Sequence, residues 1–331
     1  MRVAMTGGGG FIGSHLLARL VGAGIDVTII GPTVGKSRYT ASLVAAGDVR
    51  FLRCDVGFEQ ETVLRPALMD ADVLLLLGYV VPRFAGKTRR LLDEINLNVA
   101  PLVRLLNAAE GRSHHVVFAS SAAVYGTQSH VPVRECDVLA PETPYAIAKI
   151  ACEETIRLVA LTAGWTACLL RYSTVYGAGE TVPRAIPNFI RAALGGRPPV
   201  VDGDGLDERD YIHVSDVAEA TMAAIRYSGS GIYNIGTGKG MATLDVARLV
   251  FDLAGAKASP FDRSIAQPDR ARSRLICDTT VAREQLGFAA TRKLEDGIAE
   301  EIGWFRALPS MTSRKDSMSK GALPANVAVA G

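Results

Sequence analysis

The chain has 331 residues, of which 48% are hydrophobic, enough for one large domain or two unequal ones with packed cores. Lys and Arg total 36 against 34 Asp and Glu, a net charge of +2, so neither nucleic acid nor a membrane surface is expected as the main partner. The five cysteines are scattered and form no C-x-x-C pair, which argues against a disulfide framework or a metal site and is typical of the reduced cytoplasm.

The first ten residues, MRVAMTGGGG, contain no apolar stretch followed by a small-residue cleavage site, so no signal peptide is predicted. The longest apolar run, 73–77, is too short to span a bilayer. Residues 309–331 are rich in Ser, Lys, Ala and Gly without a helical or strand period, and we expect a flexible tail there.

Residues 1–175 alternate between short β-branched runs and longer amphipathic segments. The runs predict strands at 3–6, 26–30, 49–54, 73–77, 116–120 and 167–171. The segments between them predict helices at 11–23, 60–69, 89–109 and 145–163. Several of the strands are almost wholly apolar, as expected when both faces of a parallel sheet are covered. The predicted fold is therefore α/β, a doubly wound Rossmann sheet.

The pattern loosens beyond residue 175, where Pro183, Pro187, Pro198 and Pro199 interrupt it. Shorter helices are predicted at 214–227, 244–253 and 294–308. We expect residues 176–308 to form a smaller mixed α/β lobe over the carboxyl edge of the sheet, where ligands bind in such folds, with some segments free to return to the sheet.

A glycine-rich loop follows the first strand and opens the first helix, as Thr6-Gly-Gly-Gly-Gly-Phe-Ile-Gly13. Gly7, Gly10 and Gly13 have the spacing of a dinucleotide-binding loop, in which a tight turn lets the backbone approach a pyrophosphate. The N–H groups at the helix start, around Phe11 and Ile12, would face the phosphates.

The adenosine end of this site is less clear. The second strand ends in Gly31-Pro32-Thr33, without the acidic residue that usually binds the adenosine ribose. Thr33, Lys36 and Arg38 could serve a 2′-phosphate, since cations bind phosphate strongly, or Lys36 and Arg38 could be solvated loop charges. Asp55, followed by Val56, could meet the adenine edge or cap the next helix. NAD is the predicted cofactor, with NADP as the alternative.

A candidate acid/base pair begins the 145–163 helix. Tyr145 and Lys149 are one turn apart on one face, and a neighbouring ammonium is expected to lower the pKa of a tyrosine, which is ordinarily near 10. Lys149 can also orient the cofactor ribose. Ser121 ends the fifth strand, where its hydroxyl could hydrogen-bond the oxygen that becomes a carbonyl or could simply cap a turn.

Five motifs occur in order: the glycine loop, Ser120-Ser-Ala-x-Val-Tyr-Gly126, Tyr145-x-x-x-Lys149, Arg171-Tyr-x-x-Val-Tyr-Gly177 and Arg209-Asp-Tyr-Ile-His-Val-x-Asp216. Together they resemble the extended short-chain dehydrogenase/reductase family in its nucleotide-sugar epimerase/dehydratase branch, over residues 1–308. The resemblance implies Tyr145 as acid/base, Lys149 as its partner and Ser121 as the polarising hydroxyl. It adds cofactor contacts at Asn98, which would steady the central strand and helix, and at Tyr172. The implied sugar and diphosphate contacts are Ala122, Thr174, Asn188, Arg209 and either Arg272 or Arg274, whereas His213 is expected only to pack.

Two departures bear on the reaction. Ala122-Ala123 stand where sugar 4,6-dehydratases carry an Asp-Glu pair, which disfavours loss of water. Thr174 replaces the usual asparagine of the sixth-strand motif. The resemblance therefore implies a nucleotide-sugar 4-epimerase working through a 4-keto intermediate. The alternatives are an NADPH-dependent 4-ketoreductase and a reductase of a non-sugar ketone; a non-catalytic cofactor sensor would be expected to lack Tyr145 or Lys149. The resemblance also implies a homodimer paired through segments 89–109 and 145–163.

Overall fold

The computed structural model describes residues 1–35, 37–57, 61–80, 90–201, 203–256, 262–263 and 272–308. The strands are β1 (Arg2–Thr6), β2 (Asp26–Gly31), β3 (Arg50–Arg53), β4 (Val73–Leu76), β5 (His115–Ser121), β6 (Thr166–Tyr172), β7 (Thr174–Tyr176), β8 (Val200–Val201), β9 (Glu208–His213), β10 (Gly231–Ile235), β11 (Gly240–Ala242), β12 (Asp262–Arg263) and β13 (Arg274–Leu275). The predicted tail, 309–331, lies outside the described residues.

The helices are α1 (Phe11–Gly22), α2 (Arg38–Ala46), α3 (Glu61–Asp70), α4 (Leu91–Glu94), α5 (Ala100–Ala108), α6 (Pro144–Ala163), α7 (Ala185–Leu194), α8 (Val214–Arg226), α9 (Thr243–Ala254), α10 (Thr280–Leu286) and α11 (Leu294–Ala307). A π-helical turn, Ile95–Val99, joins α4 to α5, and a 3₁₀ turn, Ala122–Tyr125, follows β5. Within the described part of the chain, no helix combines the length and apolarity that a bilayer span requires.

The main sheet has seven strands in the order β10-β6-β5-β4-β1-β2-β3, and every neighbouring pair is parallel. All six strands predicted from the sequence lie in this sheet, which confirms the α/β Rossmann fold. The chain order reverses between β1 and β4. The carboxyl ends of these strands therefore open into a crevice, the usual ligand site of such sheets.

Apolar cores cover both faces of the sheet, since alternate strand residues point to opposite sides. Val3 and Met5 of β1 pack with Leu16 of α1 and Val217 of α8 on one face. Ala4 packs on the other face with α3, α5 and α6. A third core joins α7, α9 and α11 in the C-terminal part. Residues beyond 175 thus contribute α8 and β10 to the Rossmann layers, while the predicted division near residue 175 remains a prediction.

Three helices, α2, α7 and α10, were absent from the sequence prediction. α2 begins at a capping signal that the charged loop obscured: the Ser37 hydroxyl accepts a hydrogen bond from the Thr40 N–H at 3.2 Å, and Gly47 ends the helix with φ +83°. α7 contains Pro187 in its first turn, where a backbone N–H has no helical partner and proline is tolerated. Pro187 therefore lies at the start of a helix, although the sequence analysis took it as an interruption.

A buried ion pair ties α6 to the centre of the sheet. The Arg171 guanidinium donates to both carboxylate oxygens of Glu153, at 3.0 and 2.7 Å, and the two side chains are 3% and 0% exposed. Ser120 of β5 also donates to Glu153, and Arg171 donates to the Tyr125 hydroxyl at 2.9 Å. Tyr125 in turn donates to Asn234 of β10 at 2.7 Å, so the network spans β5, β6, β10 and α6.

We predict that Arg171→Ala lowers the free energy of unfolding by about 3–5 kcal/mol, because it leaves the Glu153 charge buried without its partner. The matched control is Arg157→Ala on the same helix, where Arg157 forms an exposed pair with Glu154 at 2.8 Å. That change should cost about 0.5 kcal/mol or less. Chemical denaturation of both variants is the measurement, and equal losses would contradict the role given to the buried pair.

Candidate active site

A deep cleft of about 2280 Å³ lies at the carboxyl ends of the main-sheet strands. A pocket for one drug-sized ligand occupies about 300–1,000 Å³. The cleft therefore has room for a dinucleotide and a second ligand of similar size. Most of the residues predicted to contact ligands line it: Gly7, Gly10, Phe11, Ile12, Gly13, Thr33, Arg38, Asp55, Val56, Asn98, Ser121, Ala122, Tyr145, Lys149, Tyr172, Thr174 and Arg209.

The glycine loop has the geometry of a phosphate cradle. Gly7 has φ +74°, and a Cβ on Gly13 would lie 2.1 Å from the Gly7 carbonyl oxygen. A Cβ on Gly9 would lie 1.7 Å from the Val34 carbonyl oxygen. Gly10 is the N-cap of α1 and supplies no side-chain cap, so the first N–H groups of the helix face the cleft without an intrahelical partner. These residues fit the pyrophosphate of a dinucleotide.

Beyond the carboxyl end of β2, Thr33 and Arg38 line the cleft, and Arg38 is exposed in the first turn of α2. Lys36 lies outside the described residues. Asp55 also lines the cleft, and its Oδ1 accepts a hydrogen bond from the Gly57 N–H at 3.1 Å. Because α3 begins only at Glu61, Asp55 caps this turn and not the helix.

The three predicted catalytic side chains come together from two elements. Thr143 caps α6 by accepting a hydrogen bond from the Ala146 N–H, which places Tyr145 in the first turn and Lys149 one turn later. The Lys149 ammonium donates to the Ala119 carbonyl of β5 at 2.6 Å. Ser121 ends β5 and accepts from the Ala123 N–H at 3.2 Å, so it caps the 3₁₀ turn and also lines the cleft.

Burial has the largest effect on the pKa values of Tyr145 and Lys149. It raises the pKa of the Tyr145 phenol, against the smaller opposing effects of the Ser121 hydroxyl and the Arg184 charge. Burial likewise lowers the pKa of Lys149 to about 8. The direction for Tyr145 differs from the lowering expected from the sequence. The reason is that Lys149 points to the Ala119 carbonyl and lies 5.8 Å from the Tyr145 ring centre.

A polar cluster of Tyr79, Glu94 and Asn98 lies next to Lys149. The Tyr79 hydroxyl donates to Glu94 at 2.7 Å, and the Asn98 amide donates to the same oxygen at 2.8 Å. Asn98 also accepts from the Val80 N–H at 2.7 Å, which steadies the segment after β4 against the π-helical turn. The Lys149 ammonium lies 4.1 Å from the Tyr79 ring centre, a cation–π distance.

The substrate residues divide into two groups. Ala122, Thr174 and Arg209 line the cleft, and the Arg209 guanidinium donates to the Glu208 and Ser273 carbonyls, both at 2.9 Å. Arg272 and Arg274 are exposed and do not line the cleft, because each is held by a nearby carboxylate, Asp204 at 3.4 Å and Glu208 at 3.1 Å.

Asn188 and Tyr172 also differ from their expected placement. Asn188 is exposed on α7 and accepts a hydrogen bond from Arg191 at 3.2 Å, so the structure does not bring it to the cleft. Tyr172 borders the cleft, but its hydroxyl is buried against Thr221 of α8 at 2.8 Å, which leaves the phenol oxygen unavailable to a cofactor. His213 is buried against Tyr176, in line with the packing role expected for it.

Several cleft residues were missed by the sequence analysis, notably Tyr79, Glu180, Arg184 and Trp304. Tyr79 had a usable signal, since it follows a buried parallel strand at the edge where ligands bind. Glu180 and Arg184 lie in the loop before α7, and Trp304 lies on α11. These three reach the cleft only through the packing of the C-terminal part on the sheet.

Comparison with known proteins agrees with this geometry. The model of the NAD dependent epimerase/dehydratase family matches residues 3–236. The UDP-glucose 4-epimerase of Azospirillum brasilense is 34% identical, with 93% of this chain and 92% of that protein covered.

Two solved structures share the fold over nearly the whole described chain. The UDP-N-acetylglucosamine 4-epimerase of Methanobrevibacter ruminantium M1, in complex with UDP-N-acetylmuramic acid, has a TM-score of 0.83 and 27% identity, covering 92% of this chain and 98% of its own. MoeE5, in complex with UDP-glucuronic acid and NAD, has a TM-score of 0.80 and 31% identity, covering 92% and 99%. With the glycine loop, the Tyr145–Lys149 pair and the family match in agreement, this chain belongs to the NAD-dependent epimerase/dehydratase family, as an enzyme of the extended short-chain dehydrogenase/reductase type.

Proposed function

We propose that the protein is an NAD-dependent nucleotide-sugar 4-epimerase. The observation that carries this proposal is that Ser121, Tyr145 and Lys149 line the same cleft as the glycine loop. The volume of this cleft is suited to two ligands. The relatives supply the substrate class. The similar proteins include UDP-glucose 4-epimerases, and MoeE5 has been solved with UDP-glucose or UDP-glucuronic acid together with NAD. A UDP-sugar is therefore the proposed substrate.

The chain's own residues support each part of the reaction. The loop around Gly7 and Gly13 would hold the NAD pyrophosphate, with Lys149 and Tyr145 at the nicotinamide end. When bound, NAD supplies an acceptor for the C4 hydride and a donor for its return. Tyr145 takes the proton of the C4 hydroxyl and later gives it back to the 4-keto oxygen. Ser121 donates a hydrogen bond to that oxygen, and the Arg184 charge favours the Tyr145 phenolate against the effect of burial.

Dehydration is disfavoured by the same site. Ala122 and Ala123 line the cleft immediately after Ser121, so that methyl groups stand where an acid and a base would be needed to expel water. The epimerase relatives likewise favour hydride return over the 4-ketoreductase alternative. NAD is proposed over NADP because the related structures hold NAD.

We predict that the purified protein interconverts UDP-glucose and UDP-galactose, or the corresponding UDP-uronates, without added cofactor. An epimerase returns its hydride and needs only the NAD that it retains. The products can be separated by chromatography after incubation with each UDP-sugar. Activity that appears only with a 4-keto sugar and stoichiometric NADPH would contradict the epimerase proposal and favour the 4-ketoreductase alternative.

We predict that Tyr145→Phe lowers turnover by about 10²–10⁴-fold, the usual contribution of one acid/base group. The variant keeps its ring and should retain cofactor, which fluorescence titration with NADH would verify. Thr155→Val, far along α6 from the cleft, is the matched control and should keep turnover. Near-normal turnover of Tyr145→Phe would exclude Tyr145 as the proton carrier.

We further propose a homodimer in the cytoplasm. α4 packs on α6, and the two helices leave an exposed apolar surface formed by Leu91, Leu92, Ile95, Ile147 and Leu158. Exposed apolar side chains on packed neighbouring helices are typical of a subunit interface. Leu102 of segment 89–109 and Ile156 of segment 145–163 do not belong to this surface, because they are buried in the core. The five scattered cysteines, which form no C-x-x-C pair in the sequence, support a reducing compartment.

We predict by light scattering a mass of two chains at micromolar concentration. Leu158→Glu should give a monomer, because it places a charge in the proposed interface, and Leu158 is 62% exposed in the single chain. Val138→Glu is the control, since Val138 is 79% exposed and lies in a loop, on neither helix. A monomeric wild-type protein would contradict the dimer.

A further inference from the structure

Two carboxyl groups lie buried at the loop that joins β7 to α7. Glu180 is 2% exposed and lines the cleft, whereas Glu301 of α11 is 0% exposed and does not. The two groups interact electrostatically, and like charges buried together resist simultaneous ionisation.

Glu180 forms an ion pair with a cation that faces the ligand space. The Arg184 guanidinium lies 3.5 Å from the Glu180 carboxylate, and the Arg184 side chain is 45% exposed. Arg184 lines the same cleft as Tyr145, and its charge acts on the Tyr145 phenol. Arg184 is also the N-cap of α7, where the helix dipole adds to the positive potential. This position suits an anionic group of a ligand.

The charge on Glu180 varies in the neutral pH range. Burial raises the pKa of Glu180 to about 7, against the lowering effect of Arg184 and Arg191. Burial and the nearby Glu180 raise the pKa of Glu301 to about 9, so that Glu301 stays protonated while Glu180 titrates. The charged and titratable groups around the loop are Arg184 and Arg191 on α7, Glu301 on α11, Tyr176 on β7 and His15 on α1, which bonds the Ala178 carbonyl.

We propose that Arg184 binds an anionic group of the nucleotide sugar, and that the Glu180 carboxylate competes with this group for the guanidinium. The inference rests on the proposed function. The anionic group is either the diphosphate that all UDP-sugars share or the carboxylate of a UDP-uronate. Arg184 is thus a substrate-binding residue. Glu180 is a positioning residue, because its charge sets the fraction of molecules in which the Arg184 guanidinium is free to bind the anion.

Competition of this kind makes binding depend on pH. Below the pKa of Glu180 the carboxyl group is neutral and releases Arg184, so affinity for the anion rises as the pH falls. Between pH 8 and pH 6 the fraction of free guanidinium, and with it the affinity, would change by about tenfold at most. The phosphates of a UDP-sugar do not titrate in this range, so the change belongs to the protein.

The test is calorimetric titration of the full-length, NAD-loaded Tyr145→Phe protein with UDP-glucose and with UDP-glucuronate, at pH 6 and pH 8. The Tyr145→Phe background prevents turnover of the ligand. The Tyr145→Phe protein should bind each UDP-sugar several-fold more tightly at pH 6 than at pH 8. Adding Arg184→Gln should weaken binding about tenfold at pH 6 and abolish the pH response. Adding Glu180→Gln should abolish the pH response while keeping the tight binding at both pH values.

Glu301→Gln is the matched control, because it replaces a protonated carboxyl group by a neutral side chain of the same shape. It should keep the pH response of the Tyr145→Phe protein, and thermal melting would verify that each variant is folded. Arg184 is partly exposed, so its substitution tests the proposal even where a buried change at Glu180 disturbs folding. Lys149, which also titrates near pH 8, is unchanged in every variant and so cancels from the comparison.

The two ligands identify the anion. A loss with both ligands on Arg184→Gln assigns Arg184 to the diphosphate, and a loss with UDP-glucuronate alone assigns it to the sugar carboxylate. Unchanged binding of both ligands by Arg184→Gln, or a full pH response in folded Glu180→Gln, would overturn this inference and leave the proposed function standing. If the Tyr145→Phe protein bound neither UDP-sugar, the proposed function would fail, and the inference would fail with it.

Discussion

The ion pair between Arg171 and Glu153 holds helix α6 in one position over the sheet. Both charges are almost fully buried, and hydrogen bonds from Ser120 and to Tyr125 satisfy much of their remaining bonding capacity. Glu153 lies one turn beyond Lys149 on the same helix, and Arg171 lies at the carboxyl end of β6. A buried pair of this kind is costly to break, because either charge alone would be stranded in an apolar interior. The rotation of α6, and with it the place of Tyr145 at the mouth of the cleft, depends on this contact.

The catalytic chemistry then takes place in surroundings that disfavour charge. Burial shifts the pKa of both Tyr145 and Lys149 towards their neutral forms. The groups that oppose this shift are the Ser121 hydroxyl and the Arg184 charge at Tyr145, and Cys152, Glu153 and Glu94 at Lys149. Fixed dipoles and charges act more strongly on buried groups than they would in water. The charge balance of the acid/base pair is therefore controlled by a handful of neighbouring side chains.

The part of this site that the sequence predicted is the part built from local geometry. The glycine loop, the strand-end Ser121 and the Tyr145–Lys149 spacing each depend on a few consecutive residues, and the structure brings them together. The long-range contacts were harder to predict. Arg272, Arg274 and Asn188 have the right chemistry for a diphosphate, but Asp204, Glu208 and Arg191 hold them outside the cleft. Arg184 was overlooked because the prolines around it suggested irregular chain, not the first turn of a helix.

The sequence by itself determined the parallel α/β architecture, the glycine-rich turn after β1 and the grouping of Ser121, Tyr145 and Lys149. Apolar strands, glycine spacing and one helical turn leave little freedom over such short distances. The tertiary structure decided which charged groups face the ligand space, that β10 and α8 return to the Rossmann layers, and that Glu180 and Glu301 are buried near each other. Residues 121 positions apart can approach only after the α11 helix packs on α7, and no local pattern records that contact. Charge pairing and burial are properties of the packed chain, because both depend on neighbours that are distant in sequence.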